Sequence, residues 1–158
     1  MEHLILVGSP RAGGRSARIA RDLAADITGA QVMSIADMRI AGCTGCAACA
    51  KTSPQIRCAI SDDMHLVYDA LASADELTVV CPLYFSGPPS QFKALLDRLQ
   101  PHFWALTRKA PKRAATLVVV GDGGDPHGAG PLITIVRSAL AVAGFKLGDV
   151  ECRVGEDA

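Results

Sequence analysis

The chain has 158 residues, 49% of them apolar, enough for one compact domain spanning 1–158 and too few for a second of ordinary size. Lys plus Arg and Asp plus Glu number 16 each, so there is no broad basic field to draw nucleic acid or an anionic membrane, and a small molecule is the expected ligand. No stretch reaches the ~18 apolar residues that span a bilayer, and the apolar run before Gly8 precedes its arginines, the reverse of a signal peptide. A cytoplasmic protein with reduced thiols is expected, which makes a structural disulfide framework the weakest reading of its six cysteines.

Apolar runs of β type alternate along the chain with stretches of helical period. The first run, His3 to Val7, leads through a glycine-rich turn into a helix over Ser16 to Ile27, with Ile19, Leu23 and Ile27 on one face. A second run, Gln31 to Ile35, precedes a cysteine-rich loop over 42–58, and the next helix, Asp62 to Leu71, opens on carboxylates suited to its N-terminus. Glu76 to Cys81 is followed by a helix over Gln91 to Leu99. Ala115 to Val120 is followed by one over Pro131 to Ala143, with Gly144 as its C-cap, and Lys146 to Cys152 is the last strand. This alternation predicts an α/β open sandwich: a five-stranded parallel sheet of flavodoxin-like order 2-1-3-4-5, with helices on both faces. With few residues after the fifth strand, a final helix is expected to be missing and one sheet face to want a partner chain, as in a homodimer or homotetramer.

Ligands of such sheets bind beyond the carboxyl ends of the strands. Ser9, Arg11, Gly14, Arg15 and Ser16, between the first strand and its helix, supply hydroxyls, cations and turning amides suited to a terminal phosphate. Pro10 rules out the dinucleotide fingerprint, and the P-loop glycine and lysine are both replaced. After the third strand, Pro82, Leu83, Tyr84, Phe85, Ser86 and Gly87 offer an aromatic pair and exposed amides for a flat heteroaromatic ring. After the fourth, Gly121, Gly123 and Gly124 belong to a loop whose many glycines cost entropy unless backbone must approach a ligand. His127 in that loop is the histidine to test for ligand contact. Cys81 and Cys152 read as core residues, His65 and His102 as surface or interface residues, and Phe103 with Trp104 as helix-end packing or a dimer contact.

"GSPRAGGRS", "DDM" after a cysteine loop and "PLYFSGPPSQFKALLDRL" together resemble the flavodoxin-like NAD(P)H-dependent FMN reductases, and among them the iron-sulfur flavoproteins. The resemblance implies FMN with its phosphate at Ser9, Arg11, Ser16 and the amides of Gly14 and Arg15. Its ring would lie along Pro82 to Gly87 and be closed by Gly121 to Gly124, with NAD(P)H as a transient reductant. Quinones, azo compounds, flavins or iron-sulfur proteins are the implied acceptors. No side chain stands out as an acid or base, so no catalytic residue is assigned.

Cys43, Cys46 and Cys49 have the C-x2-C-x2-C spacing that places three thiolates on three corners of a cubane cluster, with Cys58 available as the fourth. The resemblance carries the [4Fe-4S] ligand role onto these four positions. The eight residues between Cys49 and Cys58 exceed the family's usual gap. Zinc, a redox pair such as Cys43 with Cys46, and a metal-free loop are the other readings. Two further functions stand beside an FMN reductase. One is a flavodoxin-type electron carrier, against which the zero formal charge argues, and the other is a thiol or metal sensor without flavin.

Overall fold

The computed structural model describes residues 1–155. Its strands are β1 (His3–Val7), β2 (Ala30–Ser34), β3 (Glu76–Pro82), β4 (Arg113–Gly121) and β5 (Phe145–Val154). The α-helices are α1 (Arg15–Asp26), α2 (Ala48–Lys51), α3 (Met64–Ser73), α4 (Ser90–Asp97), α5 (Gln100–Trp104) and α6 (Gly130–Val142). All five strands run parallel in the order β2-β1-β3-β4-β5, the flavodoxin-like sheet expected from the sequence.

The near-continuous apolar runs of β1, β3 and β4 exist because both faces of those strands are covered. On one face Leu6, Val79, Leu117 and Val119 pack with Met64, Leu71, Phe92, Leu95, Leu132 and Val136 of α3, α4 and α6. On the other, Ile5, Val7, Val80, Val118 and Val120 pack under Ile19 and Ala20 of α1. At fully buried positions such as these, each Val, Leu or Ile contributes roughly 1.5–3 kcal/mol.

The edge strand β5 departs from the expected pattern. Phe145 and Leu147 are buried, but the pairing slips between Ala115 and Leu117, and beyond the slip Glu151 and Arg153 stand opposite Val118 and Val120. Arg153 Nε donates to Glu151 Oε1 at 2.7 Å, so the α1 face ends at this edge in a charged pair rather than an apolar surface awaiting cover. Cys152, expected in the core, is exposed on β5, the edge strand of the sheet.

The expected helix to Leu99 ends instead at Asp97, and a separate helix begins at Gln100 with Pro101 in its first turn. Proline has no N–H to continue a helix but suits the first turn of a new one. The break turns His102 inward: it is buried, not at the surface, with its ring edge-on to Tyr68 at 6.0 Å between centroids. His65 is exposed, as expected. Arg113 at the start of β4 ties two helix ends together, donating to Leu71 O and Ala74 O at 2.7 Å each and to Ala143 O at 3.4 Å. Among the described residues no helix is long and apolar enough to cross a membrane.

Candidate functional site

Two concavities carry the chemistry suggested by the sequence, and they share no lining residue. The first, about 130 Å³, lies beyond the carboxyl ends of β1, β3 and β4, where the strand order reverses. Ser9, Arg11, Gly14, Arg15 and Ser16 come to it from the β1–α1 loop, Pro82, Leu83 and Tyr84 from the end of β3, and Gly121 from the end of β4. Val120 and Asp122 complete the wall.

The loop after β1 is compact. Ser9 Oγ accepts from Arg11 N at 3.2 Å, and Gly14 N donates to Arg11 O at 3.3 Å. Ser9 and Ser16 are buried although polar, and Arg11 stays exposed. Gly14 is the N-cap of α1 and offers no capping side chain, so the first-turn amides of this 12-residue helix and its positive dipole end open on the cavity. Arg15 is turned towards the sheet. Its guanidinium donates to Gly121 O at 3.3 Å and to Arg153 O at 3.1 Å and stands 4.0 Å from Asp122. It therefore buttresses the ends of β4 and β5, and of its groups the backbone amide suits an anion better than the side chain.

After β3, Tyr84 and Gly87 exchange backbone hydrogen bonds at 2.9 and 3.0 Å around a two-residue turn. Both residues of that turn lie in the left-handed region, Phe85 at φ +49° and Ser86 at +64°. Non-glycine residues rarely adopt this conformation, and for a bulky ring it is a true outlier. Ser86 is fixed by its hydroxyl, which donates to Gly128 O at 2.5 Å, whereas the Phe85 ring is fully exposed. Leu83 N donates to Val120 O at 2.8 Å and holds the turn to β4.

Phe85, Ser86, Gly87, Gly123 and Gly124, expected around one ligand, do not line the cavity. Gly123 and Gly124 have φ of +88° and +83°, which accounts for glycine at both. His127 is exposed and outside the cavity, its amide held by Asp125 Oδ1 at 2.9 Å.

The second cavity, about 260 Å³, is lined by Cys43, Cys46, Cys49 and Cys58, with Arg98 and Trp104 in its wall. Positive φ at Gly45 and Ala47 curls the first thiols into it, and Cys49 follows on α2. The long gap before Cys58 is taken up by the end of α2 and a turn in which Gln55 N donates to Thr52 O; Ser53 Oγ ties that turn to Trp104 O at 2.9 Å. The thiols sense one another. Burial pushes the Cys49 thiol up, and neighbouring Cys58, Cys43 and Cys46 add to the effect. Cys46 is held below the usual thiol range by the Ala48 amide and then the Thr44 side chain. Cys81 lies in the core as expected, its thiol pushed well up by burial.

The base of this loop is tied by the carboxylates expected to open the next helix and by Arg98, to which the sequence reading gave no role. Asp63 Oδ2 accepts from Arg39 N at 2.7 Å, and Asp62 Oδ2 accepts from Ala41 N at 2.9 Å. Asp62 Oδ1 also accepts from Met64 N at 3.1 Å, so Asp62 rather than Asp63 caps α3. Arg98, only 1% exposed, grips Asp62 through two hydrogen bonds of 2.8 and 3.0 Å. The same guanidinium donates to Ala41 O at 2.8 Å and Ile60 O at 3.3 Å. Burial alone would push the Asp62 carboxyl up; the bonds from Arg98, Ala41 and Met64 outweigh it and hold it below the usual range. A sequence signal existed: Arg98 follows Leu95 by three residues and adjoins Leu99, on the apolar side of "FKALLDRL".

Among the described residues, no three His, Cys, Asp or Glu side chains close tightly enough to hold a single metal ion. Tetrahedral zinc needs all its sulfurs within about 2.3 Å of one point. A four-iron cluster spreads four thiolates over four corners, which four cysteines around one cavity suit better.

The NADPH-dependent FMN reductase family matches this sequence across residues 1–149. The chain belongs to that family. Among curated relatives, the iron-sulfur flavoprotein of Methanosarcina thermophila is 33% identical over 98 residues, covering 58% of this chain and 48% of its own length. An iron-sulfur flavoprotein of Archaeoglobus fulgidus is 24% identical over 153 residues, covering 94% of this chain and 68% of its own. The chain thus spans about half the length of the Methanosarcina relative and of a similar one from Methanocaldococcus jannaschii, of which 53% is covered. Solved structures share the fold. An NADPH-quinone reductase from P. pentosaceus superposes with a TM-score of 0.66 at 14% identity, over 98% of this chain and 86% of that one. An NADH:FMN oxidoreductase in its apo form gives 0.62 at 21%, over 96% and 75%.

Proposed function

We propose that this chain is an FMN-dependent oxidoreductase that takes electrons from NAD(P)H or a protein donor and delivers them to a quinone, a flavin or another acceptor. The cysteine cavity would hold a [4Fe-4S] cluster as a second redox centre. One observation carries the flavin reading: loops after three different strands, each expected separately to contact FMN, contribute to one cavity at the reversal of strand order. The buried hydroxyls of Ser9 and Ser16, the Arg11 cation and the amides of Gly14 and Arg15 are the donor set a phosphate monoester requires. The Phe85 and Ser86 turn and the end of β4 present backbone and an aromatic edge for a flat ring, and the buttress from Arg15 keeps those strand ends in place.

When bound, FMN supplies both hydride and single-electron chemistry. The protein's share is to hold the phosphate, position the ring edge and leave its outer side open beside the exposed Tyr84 and Phe85 for a nicotinamide or acceptor. In the cysteine loop, Cys43, Cys46, Cys49 and Cys58 would each ligate one corner of a cluster. The iron-sulfur flavoprotein names of relatives aligned over most of this chain support that assignment.

The test is titration of flavin-free protein with FMN, followed by NADPH and NADH oxidation with a quinone. Stoichiometric binding and FMN-dependent oxidation are expected, with affinity falling roughly tenfold or more in Arg11→Ala and Ser16→Ala. Unchanged affinity in both variants would mean that the phosphate lies elsewhere.

A further inference from the structure

Arg98 is the largest fully buried side chain of the described residues, and it reaches both flanks of the cysteine loop at once. Its guanidinium bonds to the carbonyls of Ala41, just before the loop, and Ile60, just after Cys58, and to the Asp62 carboxylate, which in turn holds the Ala41 amide. It is also a wall of the cavity into which the four thiols open. Its Nε has no hydrogen-bond partner, so part of a buried cation's bonding capacity is unused beside that cavity. Burying this cation just past the end of α4 costs desolvation, which its bonds to Asp62, Ala41 and Ile60 offset.

We infer that Arg98 is the positioning residue of the cysteine loop: it clasps the two ends so that Cys58 meets Cys43, Cys46 and Cys49, and it sets a permanent positive charge against the thiolates. The inference rests on the cluster reading above for its charge role, whereas the clasp stands on the geometry alone. Four thiolates gathered in one cavity repel one another, and a ligated four-iron cluster carries net negative charge that grows by one on reduction. A cation in the cavity wall therefore favours assembly and favours the reduced form. Lysine could keep that charge, but not the planar fork that spans a carboxylate and two carbonyls.

The experiment uses anaerobically purified, FMN-loaded protein as wild type, Arg98→Met and Arg98→Lys, with FMN retention as the check on folding. Each is read by tryptic cleavage after Lys51 and Arg57 in chelator, by iron content, and by the midpoint potential of the cluster. Arg98→Met should be cleaved in the loop roughly tenfold faster or more, hold less iron and show a lower potential. Arg98→Lys should be cleaved faster as well, yet keep a potential close to wild type, a split that a purely structural role would not produce. Should Arg98→Met fail to retain FMN, the lysine variant carries the test. Wild-type cleavage rates in the folded variants would overturn the clasp. An unchanged potential in Arg98→Met, or a lowered one in Arg98→Lys, would overturn the charge role. Iron-free wild-type protein would sink the cluster reading and the charge role together, while the tryptic comparison would still decide the clasp.

Discussion

Gly8, at the end of β1, faces the ring of Phe92 on α4 so closely that a Cβ added to it would stand 2.7 Å from the ring. The glycine directly before the Ser9 loop is thus set by packing, and α4 fixes where that loop begins. Gly8 N also donates to Val80 O at 2.8 Å, so the backbone cannot back away without losing a sheet bond. Gly8→Ala should cost roughly 1–3 kcal/mol in a denaturant melt. Adding Phe92→Leu should recover part of that loss, as a double-mutant cycle would show.

Arg15 and Arg11 should separate in their effects. Arg15→Ala removes the bonds to Gly121 O and Arg153 O, so both stability and FMN affinity should fall, the former by roughly 1–2 kcal/mol. Exposed Arg11 should affect FMN affinity with no change in the melting temperature of flavin-free protein. Calorimetry with and without FMN distinguishes the two patterns, and equal behaviour would mean that the Arg15 side chain serves the phosphate.

The turn after β3 combines an outlying φ with an exposed ring at Phe85, a cost that packing does not repay. Phe85→Gly should stabilise flavin-free protein by up to about 1 kcal/mol while weakening FMN binding or turnover. A variant stabilised without functional loss would show that the ring serves neither ligand nor acceptor.

Burial first, then the charge of Arg113, lowers the His102 pKa to about 4, so the ring is neutral in the fold, and neither of its nitrogens has a partner. As pH falls, the unfolded chain takes up this proton near 6.5 and the folded protein only near 4. Stability is full above the first value, is lost between the two, and changes no further below the second. His102→Leu should remove this acid-side loss, roughly 3 kcal/mol at full extent, and leave stability near pH 8 within about 1 kcal/mol. Urea melts from pH 4 to 8 measure the difference.

What could be read in advance follows from periodicity. Runs such as Glu76 to Cys81 are apolar because both faces are covered, and the strand extends only one residue beyond that run. The turn from β1 into α1 was legible because glycines and serines cluster between an apolar run and a stretch of helical period. Side-chain direction was not. Whether Arg15 faced a phosphate or the sheet depended on where Gly121 and Arg153 arrive, 106 and 138 residues later. Cys152 and His102 failed for opposite reasons. The first lies in an apolar-looking strand that is an edge, and the second in a polar-looking segment that Pro101 turns inward. The clasp of Asp62 and Arg98 joins positions 36 apart, beyond the reach of any local pattern.

Anaerobic purification, followed by counting FMN, iron and sulfide per chain in wild type and in Cys49→Ser, tests the account most directly. The account predicts one FMN and close to four irons per chain in the wild type, with the iron lost and the FMN kept in the variant. Protein that binds no FMN, or that carries stoichiometric zinc or no metal in the cysteine loop, would contradict it.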